Sequence, residues 1–239
     1  MTAPIAYVYL VSGLIEVFLP LVLAFYAIKR MQTSWKIWFV GALMFLISLI
    51  RFPLNNYLSA LAVHDNISVI SMTIVYLIPA VTAGLFEETA RYVGLKYLIK
   101  DTKYRTGITY GLGHGGIESI FLVGINILTL GVMLIISPDS MPSMLQYVVS
   151  LPIYMPLVGA YERVMVLVIQ ISLSIMVLET LRTKKIKYFA TAIIAHIAVD
   201  YISLSAVSYG VLYAELVVTG FAIGLGEWAY SKIKNDIMA

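Results

Sequence analysis

The sequence predicts an all-α polytopic membrane protein, built as a bundle of about seven transmembrane helices. Hydrophobic residues make up 61% of the 239 residues and charged residues 12%, whereas a soluble domain carries about 25% charged residues. The mean hydropathy is +0.92. Apolar stretches of about 20 residues, the length that crosses a bilayer, recur along the chain. They cover residues 5–28, 35–58, 68–99, 106–136, 161–181, 186–208 and 211–230.

The first predicted helix reads as a retained span rather than a cleaved signal peptide. It has no charged segment before it and contains Glu16 and Pro20, which a signal peptide would not be expected to carry. Between the fourth and fifth predicted helices, residues 138–158 contain four prolines around a short apolar segment. We expect this stretch to be a re-entrant or interfacial outer segment, because it is too short and too broken to span.

Basic residues indicate the orientation of the bundle. Of the 16 Lys and Arg residues, 13 lie at the first, third and fifth connections and in the C-terminal tail. Cytoplasmic connections hold such an excess, so residues 1–239 are expected to form a single transmembrane domain with the N-terminus outside and the C-terminus cytoplasmic. The plasma membrane of a prokaryote is the expected location. The net charge of +3 reflects this bias, and we expect no nucleic-acid partner.

Three short motifs place ionisable residues inside these apolar helices. An Arg or Asp at a helix centre costs roughly 2.5–3.5 kcal/mol on insertion scales, so a group of such residues requires a function. The motifs comprise Glu87, Glu88 and Arg91 in the third predicted helix, His114 and Glu118 in the fourth, and His196 and Asp200 in the sixth.

The three motifs share one depth and each occupies one helix face. Every member lies 9 to 13 residues from the basic residue at the cytoplasmic end of its helix. This corresponds to roughly 13–20 Å within a hydrocarbon core about 30 Å thick. Within each motif the spacing is i,i+3 or i,i+4, which aligns side chains on one face. A single acid–His pair could be a structural hydrogen bond, but two such pairs and an acid–Arg motif at one level favour a common site.

Glycines in the fourth predicted helix favour close packing around this site. Without side chains there, a neighbouring backbone or a substrate can approach closely. The glycines are Gly107, Gly111, Gly113, Gly115 and Gly116.

Other intramembrane charges fall towards the outer ends of their helices. We expect them to form structural ion pairs or to extend their charged ends to the interface. They are Arg51, Glu162, Arg163 and Glu215.

The residue types in the three motifs suit hydrolysis. A buried carboxylate can activate water while a His orients it, and His and carboxylate side chains also bind zinc with an open position for water. A divalent metal such as Zn is therefore a possible cofactor, with His114, Glu118, His196, Asp200 and Glu87 as candidate ligands. The chain has no cysteine, and no serine has a suitably placed base, so nucleophilic catalysis is not expected.

The motifs resemble those of a known protease family. Glu87-Glu88 followed by Arg91, the Gly-rich run around His114, and His196 four residues before Asp200 are similar to the YhfC family. That family is related to the CAAX prenyl endopeptidase and bacteriocin-processing (CPBP) membrane proteases and to PrsW. The resemblance covers the third, fourth and sixth predicted helices.

The resemblance implies a role for each residue. Glu87 and His114 would activate the hydrolytic water, Glu88 would assist or pair with Arg91, and His196 with the Asp200 position would stabilise the oxyanion. Two features differ from the prenyl-protease pattern. Only two residues separate Glu88 from Arg91, where that pattern has three, and Asp200 stands where it has Asn.

We therefore expect an intramembrane peptidase of glutamic or metallo type that acts on a membrane-embedded or membrane-proximal peptide. Its partners would be membrane lipid and a membrane-associated peptide or protein substrate. The sequence indicates neither the substrate's identity nor the oligomeric state. A proton-coupled transporter or channel would also place acids and His in the membrane, although at successive depths. A non-catalytic membrane scaffold could use the same polar cavity.

Overall fold

The computed structural model describes residues 3–64, 68–137 and 150–237, and the regular structure within these ranges is entirely helical. Two π-helical segments, Gly94–Ile99 and Ser119–Gly124, directly follow the α-helices Ser68–Val93 and Tyr104–Glu118. The α-helices are α1 Ala3–Met31, α2 Trp35–Ser48, α3 Arg51–His64, α4 Ser68–Val93, α5 Tyr104–Glu118, α6 Ile125–Ile136, α7 Met155–Thr183, α8 Lys187–Val207 and α9 Val211–Ile237.

In the described residues these helices form seven longer helical segments, because α2 is followed directly by α3 in one segment and α5 by α6 in another. The all-α fold class is thereby confirmed. Six of these segments are long and apolar enough to span a membrane. The seventh, α4 with its π-helical end, carries the charged motif of Glu87, Glu88 and Arg91. The six spans are Pro4–Met31, Trp35–Leu61, Tyr104–Ile136, Met155–Thr183, Lys187–Val207 and Val211–Lys234.

Large apolar side chains cover the outside of the bundle. Phe39 is 60% exposed, Ile194 66% and Leu216 69%. Such a surface would be unfavourable in water but matches the hydrocarbon core of a bilayer. The chain is an integral membrane protein.

Helix α7 is the centre of the bundle. Its residues from Leu167 to Thr180 are almost all buried, and it contacts α1, α4, α5, α8 and α9. Helix α4 packs against α8 and α2, and α5 packs against α2 and α7. This arrangement brings the polar faces of α4, α5 and α8 together beside α7.

The glycines of α5 permit the close packing that the sequence predicts. A Cβ atom on Gly111 would lie 2.6 Å from the Cα atom of Ile171 in α7, and one on Gly113 would collide with the carbonyl oxygen of Trp38 in α2. The backbone of α5 therefore touches α2 on one side and α7 on the other. His114 lies between these contacts and is fully buried.

The second predicted span is broken in its middle. Helix α2 ends at Ser48, a turn occupies residues 49–50, and α3 begins at Arg51. Pro53 lies in the first turn of α3, where a proline removes no helical hydrogen bond. The break directs Arg51 into the bundle, where it is 8% exposed.

The predicted re-entrant segment at residues 138–158 falls mostly outside the described residues, which omit 138–149. Its last part, from Met155 onward, is the first turn of α7. Pro156 is accommodated there because it lies at the start of the helix, where the proline nitrogen needs no hydrogen-bond partner. The fifth span accordingly begins earlier than residue 161.

Replacing Gly113 by Ala should destabilise the protein, because the added methyl group collides with the backbone of Trp38. We expect a loss of about 1–3 kcal/mol in the free energy of unfolding, measured by thermal unfolding in detergent. Gly220→Ala is the matched control, since nothing lies within 4 Å of a Cβ atom there. Equal transition temperatures for the two variants would contradict the packing described for α5.

Candidate active site

Glu87 is the centre of the polar cluster. Its Oε2 atom lies 3.1 Å from Nε2 of His114 and 3.8 Å from Nε2 of His196. Its Oε1 atom accepts a hydrogen bond of 2.9 Å from the guanidinium of Arg51. Glu87 is 2% exposed, so four helical segments enclose one carboxylate together with two imidazoles and a guanidinium.

His196 is held from its other nitrogen by Glu88. The Nδ1 atom of His196 lies 2.7 Å from Oε1 of Glu88. Because a carboxylate accepts hydrogen bonds, Nδ1 carries the proton and donates it in this contact. Its Nε2 atom then faces Glu87 and also lies 3.8 Å from Oδ2 of Asp200. Asp200 is within ion-pair range of His196 but beyond hydrogen-bond distance.

Arg91 binds Glu88 and anchors it to α7. Its Nε atom lies 3.1 Å from Oε2 of Glu88. Its two terminal nitrogens donate to the main-chain oxygen of Gln170 at 2.7 Å, to the side-chain oxygen of Gln170 and to the hydroxyl of Ser174. Arg91 is fully buried, and this partner set compensates for the loss of its hydration.

Glu118 belongs to the same network but does not contact His114. Its Oε2 atom accepts a 2.7 Å hydrogen bond from the side-chain amide of Gln170. Its Oε1 atom lies 3.3 Å from Arg163 of α7, which also donates to Glu162. The Gln170 amide thus connects the two residues, because its oxygen accepts from Arg91 and its nitrogen donates to Glu118.

The structure brings the predicted residues together in two linked groups. Glu87, His114 and His196 meet directly. The other four are arranged around them: Glu88 with Arg91 on the α7 side, Asp200 beside His196, and Glu118 behind Gln170.

Two further residues of the site were placed differently or missed by sequence reasoning. Arg51 was expected in an outer structural ion pair, but the break between α2 and α3 turns it inward to Glu87. Gln170 was not singled out at all. Its signal in the sequence was an uncharged amide in the middle of an apolar helix, a position that sequence patterns do not distinguish from tolerated polarity.

A cavity of about 360 Å³ adjoins this cluster. Glu87, His196 and Asp200 lie on its wall with Arg51, and apolar side chains such as Phe45 form much of the remainder. The volume is within the range of small-ligand sites. The buried carboxylate therefore borders a space large enough for water or part of a substrate.

Comparisons with known proteins agree with these features. A family model described as YhfC intramembrane metalloprotease matches residues 15–222. The chain belongs to the YhfC family. It is also 25% identical over 202 residues to the "Uncharacterized membrane protein YhfC" of Bacillus subtilis (strain 168), which covers 77% of this chain and 78% of that protein. No solved structure matches.

The YhfC family name implies a metal ion, and the donor types present here fit one. Two imidazole nitrogens and a carboxylate oxygen, from His114, His196 and Glu87, are typical ligands of catalytic zinc. Glu88 on the far nitrogen of His196 is the usual outer partner of such a ligand. Among the described residues, however, no group of three or more His, Asp or Glu side chains is arranged to hold a metal ion. Glu87 is paired with His114 instead.

Replacing Gln170 by Met should destabilise the protein without a change in side-chain size. The substitution leaves one buried donor site on Arg91 and one acceptor on Glu118 without their partner. We expect a loss of about 2 kcal/mol in the free energy of unfolding, measured by thermal unfolding in detergent. Ser172→Ala in the same helix is the control, because the hydrogen bond from the Ser172 hydroxyl to the main-chain oxygen of Val168 stays within one turn of α7. A smaller loss for Gln170→Met than for Ser172→Ala would refute the bridging role.

Proposed function

We propose that this protein is an intramembrane peptidase that hydrolyses a peptide bond of a membrane-embedded or membrane-proximal substrate. One observation carries the proposal. A buried carboxylate oxygen of Glu87 faces the Nε2 atoms of both His114 and His196 at 3.1 and 3.8 Å, beside a cavity shared by Glu87 and His196. Membership of a family described as an intramembrane metalloprotease supports the same reaction class.

Glu87 is the proton acceptor in this reaction. Arg51 occupies its Oε1 atom, so Oε2 is directed towards the imidazoles and is the oxygen that takes a proton from water. The oxygen of that water attacks the peptide carbonyl carbon. Glu87 then returns the proton to the leaving nitrogen as the C–N bond breaks, which balances the reaction.

Arg51 is the donor best placed to stabilise the oxyanion. It lines the cavity, and its Nε–H has no hydrogen-bond partner among the described residues. A fixed cation near the carbonyl oxygen stabilises negative charge as it develops, without gaining or losing a proton. His196 presents Nε2 to the same space and, when protonated, donates to the same oxygen.

In the metal-dependent alternative, a divalent ion held by Glu87, His114 and His196 would supply Lewis-acid activation of water, and Glu87 would then be a ligand and not the proton acceptor. Glu88 would then fix the ring of His196 by accepting its Nδ1 proton. His114 differs, because its Nδ1 atom is buried without a hydrogen-bond partner in the described residues. His196 is therefore the better oriented of the two imidazoles.

The shape of the cavity favours hydrolysis over transport. A transport path would require polar groups at successive depths on both sides of Glu87. In the described residues the cavity extends only towards the connection between α8 and α9. Towards the other end of the bundle, a buried cluster of apolar side chains closes the space, including Leu95, Tyr110 and Leu178.

Substitutions of the three central residues should abolish peptide cleavage. We expect Glu87→Gln, His114→Ala and His196→Ala each to lower the cleavage rate at least about 100-fold. The assay is mass-spectrometric detection of products from transmembrane peptides in proteoliposomes. Glu227→Gln is the control, because Glu227 lies on α9 outside the cavity lining. Full activity in all three variants, each eluting as a folded species, would exclude the proposed peptidase.

Metal content decides between carboxylate and metal activation of the water. We expect about one divalent ion per chain in protein purified without chelator, because the chain belongs to a family described as an intramembrane metalloprotease; activation of water by Glu87 alone would need none. The His196→Ala variant should lose it, as measured by elemental mass spectrometry. Metal-free protein that cleaves at the full rate would show that Glu87 activates water alone.

A further inference from the structure

The cavity extends from the candidate active site to one end of the bundle. From Glu87 and His196 it follows the second half of α8 as far as Val207 and the first turns of α9 from Val211 to Val218. These segments flank the turn at Gly210, which joins α8 to α9 and has a φ of +124°. The connections that carry most of the basic residues lie at the opposite end.

The cavity is lined by more acidic than basic side chains, and the excess is at Asp200 and Glu215. Five carboxylates line the whole cavity, Glu87, Glu118, Glu162, Asp200 and Glu215, together with the two guanidinium groups of Arg51 and Arg163. Arg51 pairs with Glu87, and Arg163 is shared by Glu118 and Glu162. Asp200 and Glu215 remain without an arginine of their own in these contacts.

Unpartnered polar atoms point to a ligand in the same region. Glu215 is 8% exposed, and its Oε2 atom has no hydrogen-bond partner among the described residues. The hydroxyl of Ser203, on the neighbouring α8, is likewise buried and unpartnered in this part of the chain. Both line the cavity. A buried carboxylate oxygen without a donor is costly, so a bound donor there would be strongly favoured.

We propose that the outer chamber, which is the part of the cavity lined by Ser203, Val207, Val211 and Glu215, binds the ammonium or guanidinium of a basic residue in the substrate, with Glu215 as the principal acceptor. The apolar walls formed by Val166, Val211 and Val218 accommodate the flanking apolar residues. Substrate then enters from the α8–α9 end, which is the outer face of the membrane when the N-terminus is outside. That the bound ligand is a substrate rests on the proposed peptidase. The binding of a basic residue is tested by readouts that need no cleavage.

Thiol labelling tests the access and the charge of the chamber. The chain has no cysteine, so Ser203→Cys introduces a single thiol in the cavity wall with little change in size. Membrane-impermeant methanethiosulfonates carrying trimethylammonium or sulfonate are the probes. We expect labelling to be faster in spheroplasts than in inverted vesicles, and the cationic reagent to react about tenfold faster than the anionic one after correction for their rates with free thiol.

Matched variants make the labelling result decisive. Glu215→Gln in the Ser203→Cys background should abolish most of the preference for the cationic reagent, whereas Glu227→Gln, at the other end of α9, should preserve it. Ser231→Cys, near that other end, should be labelled from inverted vesicles. Faster labelling of Ser203→Cys from the cytoplasmic side, or a cationic preference that survives Glu215→Gln, would overturn the proposal.

Peptide protection tests the ligand itself. The probes are a 12-residue alanine-leucine peptide with one central lysine and the same peptide with norleucine. In nonionic detergent, the lysine peptide should slow labelling of Ser203→Cys at an about tenfold lower concentration, and Glu215→Gln should remove the difference. Equal protection by the two peptides would refute the basic-residue site. If the protein is inactive in every cleavage assay yet shows the lysine preference, only the proposed peptidase is refuted.

Discussion

The need to neutralise carboxylates inside the membrane determines how this site is built. Three arginines lie outside the basic connections, and each pairs with one predicted site carboxylate: Arg51 with Glu87, Arg91 with Glu88 and Arg163 with Glu118. Removing either partner of such a pair would leave an uncompensated buried charge, which is strongly destabilising. The Arg51–Glu87 and Arg163–Glu118 pairs each join two helices and so favour one relative arrangement of them, whereas Arg91 and Glu88 lie on the same helix.

The pairing separates the two adjacent glutamates by function. Glu88 is engaged by Arg91 on one oxygen and by His196 on the other, so its charge orients an imidazole and is not directed to the cavity. Glu87 keeps one oxygen between the two imidazoles and lies on the cavity wall. On the proposed mechanism, Glu87 is the reacting group and Glu88 is a positioning residue. Adjacent positions on a helix point in directions about 100° apart, which explains how one dipeptide supplies both.

The helical fold was predictable from sequence because each span is a long apolar segment between polar connections. That the polar faces of α4, α5 and α8 meet was also predictable from sequence. The depth of each motif follows from its distance to the basic residues at the helix end, and the shared helix face follows from the i,i+4 spacing. Arg51 could not be placed this way. Its position depends on a helix break at residues 49–50, and the one local signal for that break is Pro53, which does not by itself show which way Arg51 turns. Gln170 depends on which face α7 turns to Arg91, and that is set by packing between helices distant in sequence.

The one-sided cavity follows from the same packing. The glycines of α5 bring its backbone against α2 and α7, and the apolar cluster around Leu178 fills the space at the basic end of the bundle. At the other end, α9 covers α7 and α8 but leaves the carboxylate of Glu215 facing the cavity. Close packing therefore excludes water from one side of Glu87, while the other side opens to the chamber. A carboxylate at this boundary is open only towards the chamber, and this one-sided access is what the proposed hydrolysis requires.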